Sequence, residues 1–268
     1  MDQLPHTTPP AVPAELSRPA VYQPGPDEHP HIDRDETLRY LGYTGQEMTL
    51  DLAVRIEGVV AELERTIAPK GVRQVFAVDA TGVDDEGLPC IRLAGTAVTL
   101  TGRDIWRHLK DARYCALLAC TLGMGAERRL RTLSGQQPFE AAVYDAACSA
   151  YVEAAVGEMD AAVKRDAAAL GLQGNWRFSC GYGDCPLEVQ PTLLAALNAQ
   201  RLIGLTVTPT NLMLPSKSVT AMIGLFEGEP QSASSARTCR YCRVRPGCAF
   251  RARGLTCYGQ PFSPTVGQ

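Results

Sequence analysis

The sequence predicts an α+β fold: one domain built on a mixed or antiparallel sheet with long helices, followed by a small cysteine-rich tail. Three observations support this. Strand-like and helix-like segments are mixed without a regular βα alternation. An alanine-rich stretch over 138–170 is the longest helical candidate, and "YCALLACTL" (114–122) is a continuous apolar run that suits a buried strand. Four of the ten cysteines cluster beyond residue 238. With 268 residues and 45% apolar content, the chain can bury a substantial core.

The elements follow in order. Residues 1–36, rich in proline and histidine, predict a disordered extension, because prolines remove backbone donors and the apolar content is scattered. Order is expected to begin at "TLRYLGYTGQ" and to span 37–228. Leu52, Ile56, Val59, Leu63 and Ile67 recur at helical spacing, and "APKG" ends that helix. "VRQVFAVDA" and "AGTAVTL" read as strands separated by the "DDEG" loop; "TGRDIWRHLKDA" and "GMGAERRLRTL" read as helices. "PLEVQPTLLAALNAQ" reads as a helix with Pro186 in its first turn and Pro191 in the first turn or at a kink. "IGLTVTPTNLML" and "KSVTAMIGLF" read as strands, and 229–268 as a linker and metal-binding tail.

The net charge of −3 gives no whole-chain case for nucleic acid or an anionic membrane. It hides an asymmetry, since residues 237–257 hold six arginines and no acid, leaving 20 basic against 29 acidic residues elsewhere. No basic start followed by an apolar run marks a signal peptide, and no apolar run reaches the roughly 18 residues that span a bilayer. The expectation is a cytoplasmic protein with reduced thiols. Cys115, Cys120 and Cys148 lie in apolar runs and are expected in the core; Cys180 and Cys185 are expected in packing or in a site lining, with redox activity as the alternative. His108 is expected on a helix surface. "TLGMGAERR" lacks the lysine and serine of a phosphate-binding loop, which argues against a nucleotide triphosphatase.

The segment "RFSCGYGDCPLEVQ" (177–190) carries the most chemistry. Arg177 offers a planar, permanently charged fork suited to a carboxylate. Gly181 and Gly183 allow close backbone approach, and Tyr182 adds a flat apolar face with a polar tip. Together these suit a zwitterionic, partly aromatic small molecule. A tight strand-to-helix turn, with Arg177 solvated and Tyr182 in the core, accounts for the same residues.

Here the sequence resembles the activation domain of cobalamin-dependent methionine synthase. The Arg-x-x-x-Gly-Tyr signature of that family corresponds to Arg177, Gly181 and Tyr182, and its threonine-rich strand and Pro-x-x-Ser-Val element to "LTVTPTNLMLPSKSV". Stand-alone relatives also share "RYLGY" (Arg39 to Tyr43), "TLG" (Thr121 to Gly123), the pattern from Ala142 to Glu153 and a cysteine-containing end. The resemblance spans roughly 37–257. It implies S-adenosylmethionine binding, with Arg177 on the ligand carboxylate and Cys180, Gly181 and Tyr182 lining the pocket. Glu153, on the long helix, is a further candidate for pairing with the cationic end, and a solvated helix charge accounts for it equally; Lys217 and Ser218 are expected near that site. It also implies reductive methylation of cob(II)alamin on a separate corrinoid protein or split methionine synthase, with an electron from a donor such as ferredoxin or flavodoxin. The chain departs from the family in having Cys180 where proline is usual and in lacking a tyrosine in "TAMIGLF". It also lacks the homocysteine, folate and cobalamin modules.

In the tail, Cys239, Cys242, Cys248 and Cys257 are spaced C-x2-C-x5-C-x8-C. Four thiolates at such spacing suit tetrahedral zinc or an iron–sulfur cluster, with the nearby arginines offsetting the anionic charge. The resemblance favours a 4Fe–4S cluster, because reactivation needs an electron; zinc and free thiols are the alternatives. A second functional reading is a non-catalytic module whose zinc-stabilised basic tail contacts nucleic acid or an acidic partner, against which the scarcity of aromatic residues in the tail counts. A third is a sensor of S-adenosylmethionine.

Overall fold

The computed structural model describes residues 10–25, 27–43 and 45–228, with positions 247, 251 and 254. The four tail cysteines therefore lie outside the described residues.

The centre of the sheet is the run already legible as apolar. β5 (Tyr114–Thr121) buries every residue. It lies between β2 (Lys70–Val83) and β9 (Ser218–Glu227), antiparallel to both and paired along its whole length. β3 (Pro89–Leu93) and β4 (Thr99–Thr101) extend the sheet beyond β2, and β6 (Leu172–Gly174) closes the other edge against β9. β7 (Thr206–Val207) and β8 (Met213–Leu214) form a separate hairpin. A central strand flanked on both sides and covered on both faces has no solvent-facing positions, so alternation disappears from its sequence.

Each face of the sheet buries its own cluster. On one, α2 (Arg34–Tyr40), α3 (Leu50–Thr66), α5 (Gly123–Gln136) and α6 (Pro138–Ala168) cover Val75, Ala116, Leu118, Cys120, Ala221 and Ile223. The opposite face packs Phe76, Cys115, Leu117 and Met222 against α4 (Arg103–Leu109), α7 (Gln190–Ala196) and α8 (Ala199–Ile203). Helix starts follow local chemistry: the Thr49 side chain accepts a hydrogen bond from the Leu52 N–H at 3.3 Å, and Asp33 accepts from Glu36 at 3.1 Å. Pro138 opens the 31-residue α6, where its missing N–H costs nothing. Small alanines let α6 lie close to the sheet, and its Tyr144, Tyr151 and Met159 fill the space between.

Four expectations are corrected. The described part of the 1–36 segment is not disordered: α1 (Ala14–Ser17) and β1 (Ala20–Tyr22) form there, β1 pairs antiparallel with β2, and Leu16 and Ile32 are buried. Three or four apolar residues at the right places suffice when an open strand edge supplies the backbone partners. A strand missing from the sequence reading, β3, forms at Pro89–Leu93. The helix read across 186–200 is a 3-10 turn at Leu187–Val189 followed by α7 and α8, separated at Asn198, which adopts a left-handed conformation. The strand read over 203–214 reduces to the short β7–β8 hairpin, whose turn has left-handed Asn211. Pro191 does sit in the first turn of α7.

Candidate functional site

The chain leaves β6 and continues along the same edge of β9. Asn175 donates its backbone N–H to Gly224, and Phe178 exchanges two backbone hydrogen bonds with Met222, at 2.9 and 2.7 Å. Side chains alternate along such an edge. Phe178 therefore enters the cluster beneath α4 and α7, and Arg177 faces the other way, towards α6. There its Nη2 lies 3.3 Å from Glu153 Oε2. Arg177 and Glu153, both candidate ligand residues on the sequence, are neighbours in the fold.

The pair is asymmetric. The Arg177 side chain is 15% exposed and that of Glu153 40%. The buried Nε of Arg177 has no hydrogen-bond partner among the described residues. Cys120, on β5 beneath the pair, feels both charges, and burial pushes its thiol up to about 12. Tyr40, at the end of α2, completes the surroundings: burial, then the negative charges of Glu153 and Glu36, hold its phenol above the ordinary range. The sequence showed Tyr40 only as part of "RYLGY", without signalling its approach to Glu153. From Tyr40 an open groove of about 530 Å³ runs between α2, α5 and α6, past Ala142, Asp145 and Ser149. Lys217 reaches the same face of α6, with Nζ 2.8 Å from Asp145 and 3.0 Å from Ser149 Oγ. Ser218 is instead buried, bonded to Thr121 Oγ1 at 2.8 Å.

Beyond Phe178 the chain turns tightly. The Gly181 N–H donates to the Cys185 carbonyl at 2.8 Å, and the Cys185 N–H to that of Tyr182 at 3.1 Å. Asp184 latches this loop onto α4, accepting from the N–H groups of Arg103 and Asp104 at 2.7 and 2.9 Å. An anionic side chain from another segment thus caps the start of α4, where Gly102 has no side chain to do so. The approach is close enough that a Cβ on Gly183 would lie 2.4 Å from Asp104 Oδ2. Tyr182 is 67% exposed at the loop tip, so its placement in the core under the turn reading does not hold. Cys180 is buried on the opposite side of the sheet from Arg177, together with Cys185.

His108 is also corrected. It is 1% exposed, not on the surface, and packs edge-on to Trp176 and against Phe178 at 4.7 and 5.2 Å between ring centroids. The Asn175 side-chain amide donates to the His108 carbonyl at 2.9 Å. α4 has one face on the sheet, and His108 lies on that face beside the strand that carries Arg177. The sequence carried no signal for this, because burial of a lone polar residue depends on its helix phase and partners. Burial lowers its pKa to about 4, with backbone contacts to Met222 and Trp176 opposing the shift. Cys115, Cys120 and Cys148 are buried as expected. Among the described residues no group of three or more histidines, cysteines or carboxylates is placed to hold a metal ion, and no helix is long and apolar enough to cross a membrane.

The arrangement defines an antiparallel α+β domain with a cation–anion pair opening from the edge of its sheet. Among solved structures the chain is similar to the crystal structure of the MetH reactivation domain bound to AdoHcy, with a TM-score of 0.60 over 92% of this chain and 91% of that one, at 14% sequence identity. The fold is that of an activation domain, as the sequence resemblance implied. No protein-family model matches the chain. No curated protein matches it in sequence.

Proposed function

We propose that this chain is an S-adenosylmethionine-binding activation module supporting reductive methylation of cob(II)alamin on a separate corrinoid protein or methionine synthase. The observation that carries the reading is the Arg177–Glu153 pair, on a fold whose solved counterpart was crystallised with AdoHcy. The amino-acid end of such a ligand is a zwitterion, and the pair presents its complement. Arg177 receives the carboxylate, and its unpartnered Nε supplies a donor beyond the one turned to Glu153. Glu153 receives the ammonium. A partly exposed ion pair contributes about 0–1 kcal/mol, so exchanging it for the ligand's two charges costs little. Cys180, Gly181 and Tyr182 shape the neighbouring loop, and Tyr182 offers an exposed ring face.

The bound sulfonium would supply the methyl group, cobalamin on the partner would receive it, and a donor such as ferredoxin or flavodoxin would supply the electron. This chain's residues bind and orient the donor. The tail cysteines Cys239, Cys242, Cys248 and Cys257 would hold a 4Fe–4S cluster or zinc, a reading supported by their spacing alone.

The test compares two ligands. S-adenosylhomocysteine has the amino-acid end and 5′-methylthioadenosine does not. The native chain should prefer the first, and Arg177→Ala should abolish the preference while still binding the second. A variant that keeps the full preference sinks the site assignment.

A further inference from the structure

The loop that carries Gly181 and Tyr182 begins and ends in cysteine, with four residues between. Its ends are drawn together by the Gly181 N–H to Cys185 carbonyl bond of 2.8 Å. Both side chains enter the same cluster, at 7% and 2% exposure. Asp184 anchors the loop to α4 one residue before Cys185, and the two intervening glycines adopt positive φ. A closed backbone ring therefore brings the two residues into one buried cluster, and the glycines give the loop room to adjust to a bond of about 2.05 Å.

We propose that Cys180 and Cys185 are a dithiol that oxidises reversibly to a disulfide across the Gly–Tyr–Gly loop and stiffens it. The two thiols differ in a way that suits this chemistry. The Cys185 S–H stabilises the Cys180 thiolate and lowers its pKa, while the same contact and burial raise that of Cys185. Burial instead raises the thiol pKa values of Cys90, Cys115, Cys120 and Cys148. Cys180, the more accessible of the two at 7% against 2% exposure, is the thiol that peroxide reaches first. With hydrogen peroxide as oxidant, the Cys180 thiol becomes a sulfenic acid and releases one water. Cys185 then attacks that sulfur, forming the S–S bond and releasing a second water. An external dithiol reverses the change by exchange, returning two thiols and leaving as its own disulfide. The proposal is independent of the ligand assignment.

The test uses the folded full-length chain, treated with peroxide, alkylated with iodoacetamide and digested with trypsin. The peptide from Phe178 to Arg201 contains both cysteines and no other. It should appear unalkylated and lighter by two hydrogens after treatment, and doubly alkylated if dithiothreitol is added first. Hydrogen exchange at the amides of Gly181 to Asp184 should slow about tenfold in the oxidised form. In Cys185→Ser, dimedone should label Cys180. Alkylation of both cysteines after peroxide, or an unlabelled Cys180 in the variant, overturns the couple. A disulfide without slower exchange overturns the stiffening.

Discussion

His108 joins stability to the placement of Arg177. Its imidazole is enclosed by Trp176, Phe178 and Asn175, the strand residues on either side of Arg177. In the unfolded chain it takes up a proton near the ordinary histidine value of 6.5, and in the folded chain only near 4. Between those values the unfolded state binds more protons, so acid favours unfolding. The stability that neutral His108 permits is fully present above pH 6.5 and is lost as the pH falls towards 4. From about pH 7.5 to about pH 5 the loss is about 2 kcal/mol, rising to about 3 kcal/mol below the folded value. Urea unfolding across this range measures it. His108→Gln cannot titrate there, so its stability should fall by about 2 kcal/mol less than that of the native chain over the same interval. The readout is the difference in pH dependence, which does not require the variant to be as stable as the native protein. Glu127 and Glu140, whose carboxyls are held below the ordinary range by Ser216 and Arg55, act equally in both. Parallel curves would refute the buried, neutral histidine.

Other consequences follow from the loop and the tail. Gly183→Ala forces a Cβ to within 2.4 Å of Asp104 Oδ2 at a left-handed φ of 56°, and should lower stability by about 1–3 kcal/mol in urea unfolding. Asp184→Ala removes two cap hydrogen bonds from α4 and should cost about 0.5–2 kcal/mol, accompanied by faster hydrogen exchange at Arg103 and Asp104. Anaerobically purified chain should contain iron and sulfide in cluster proportion, and Cys239→Ser should reduce both; stoichiometric zinc without iron would replace the cluster by a structural zinc site.

Much of this fold was legible because its strongest elements are long and their burial is uniform. β5 announces itself by its unbroken apolar run from Tyr114 to Cys120, and α3 by Ile56, Val59 and Leu63 on one face. What escaped was set by tertiary partners. β1 is three residues of unremarkable sequence that become a strand because β2 offers an open edge. Asn198 divides a helix by a backbone choice that nearby leucines and alanines do not betray. The site divides in the same way. Arg177 and Glu153 could be named from motif and spacing, 24 residues apart in sequence and 3.3 Å apart in space. Tyr40, the Asp184 latch and the buried His108 depend on which helix faces which strand, and no local pattern encodes that.

The central claim is that the Arg177–Glu153 pair receives the amino-acid end of S-adenosylmethionine, and calorimetric titration of the native chain and Arg177→Ala with that ligand tests it most directly. Saturable micromolar binding is expected for the native chain, and binding about 10- to 150-fold weaker for the variant, the equivalent of losing about 1.5–3 kcal/mol of hydrogen bonds to a charged group. Equal affinity in the two proteins, or no heat of binding from the native chain up to millimolar ligand, would contradict it.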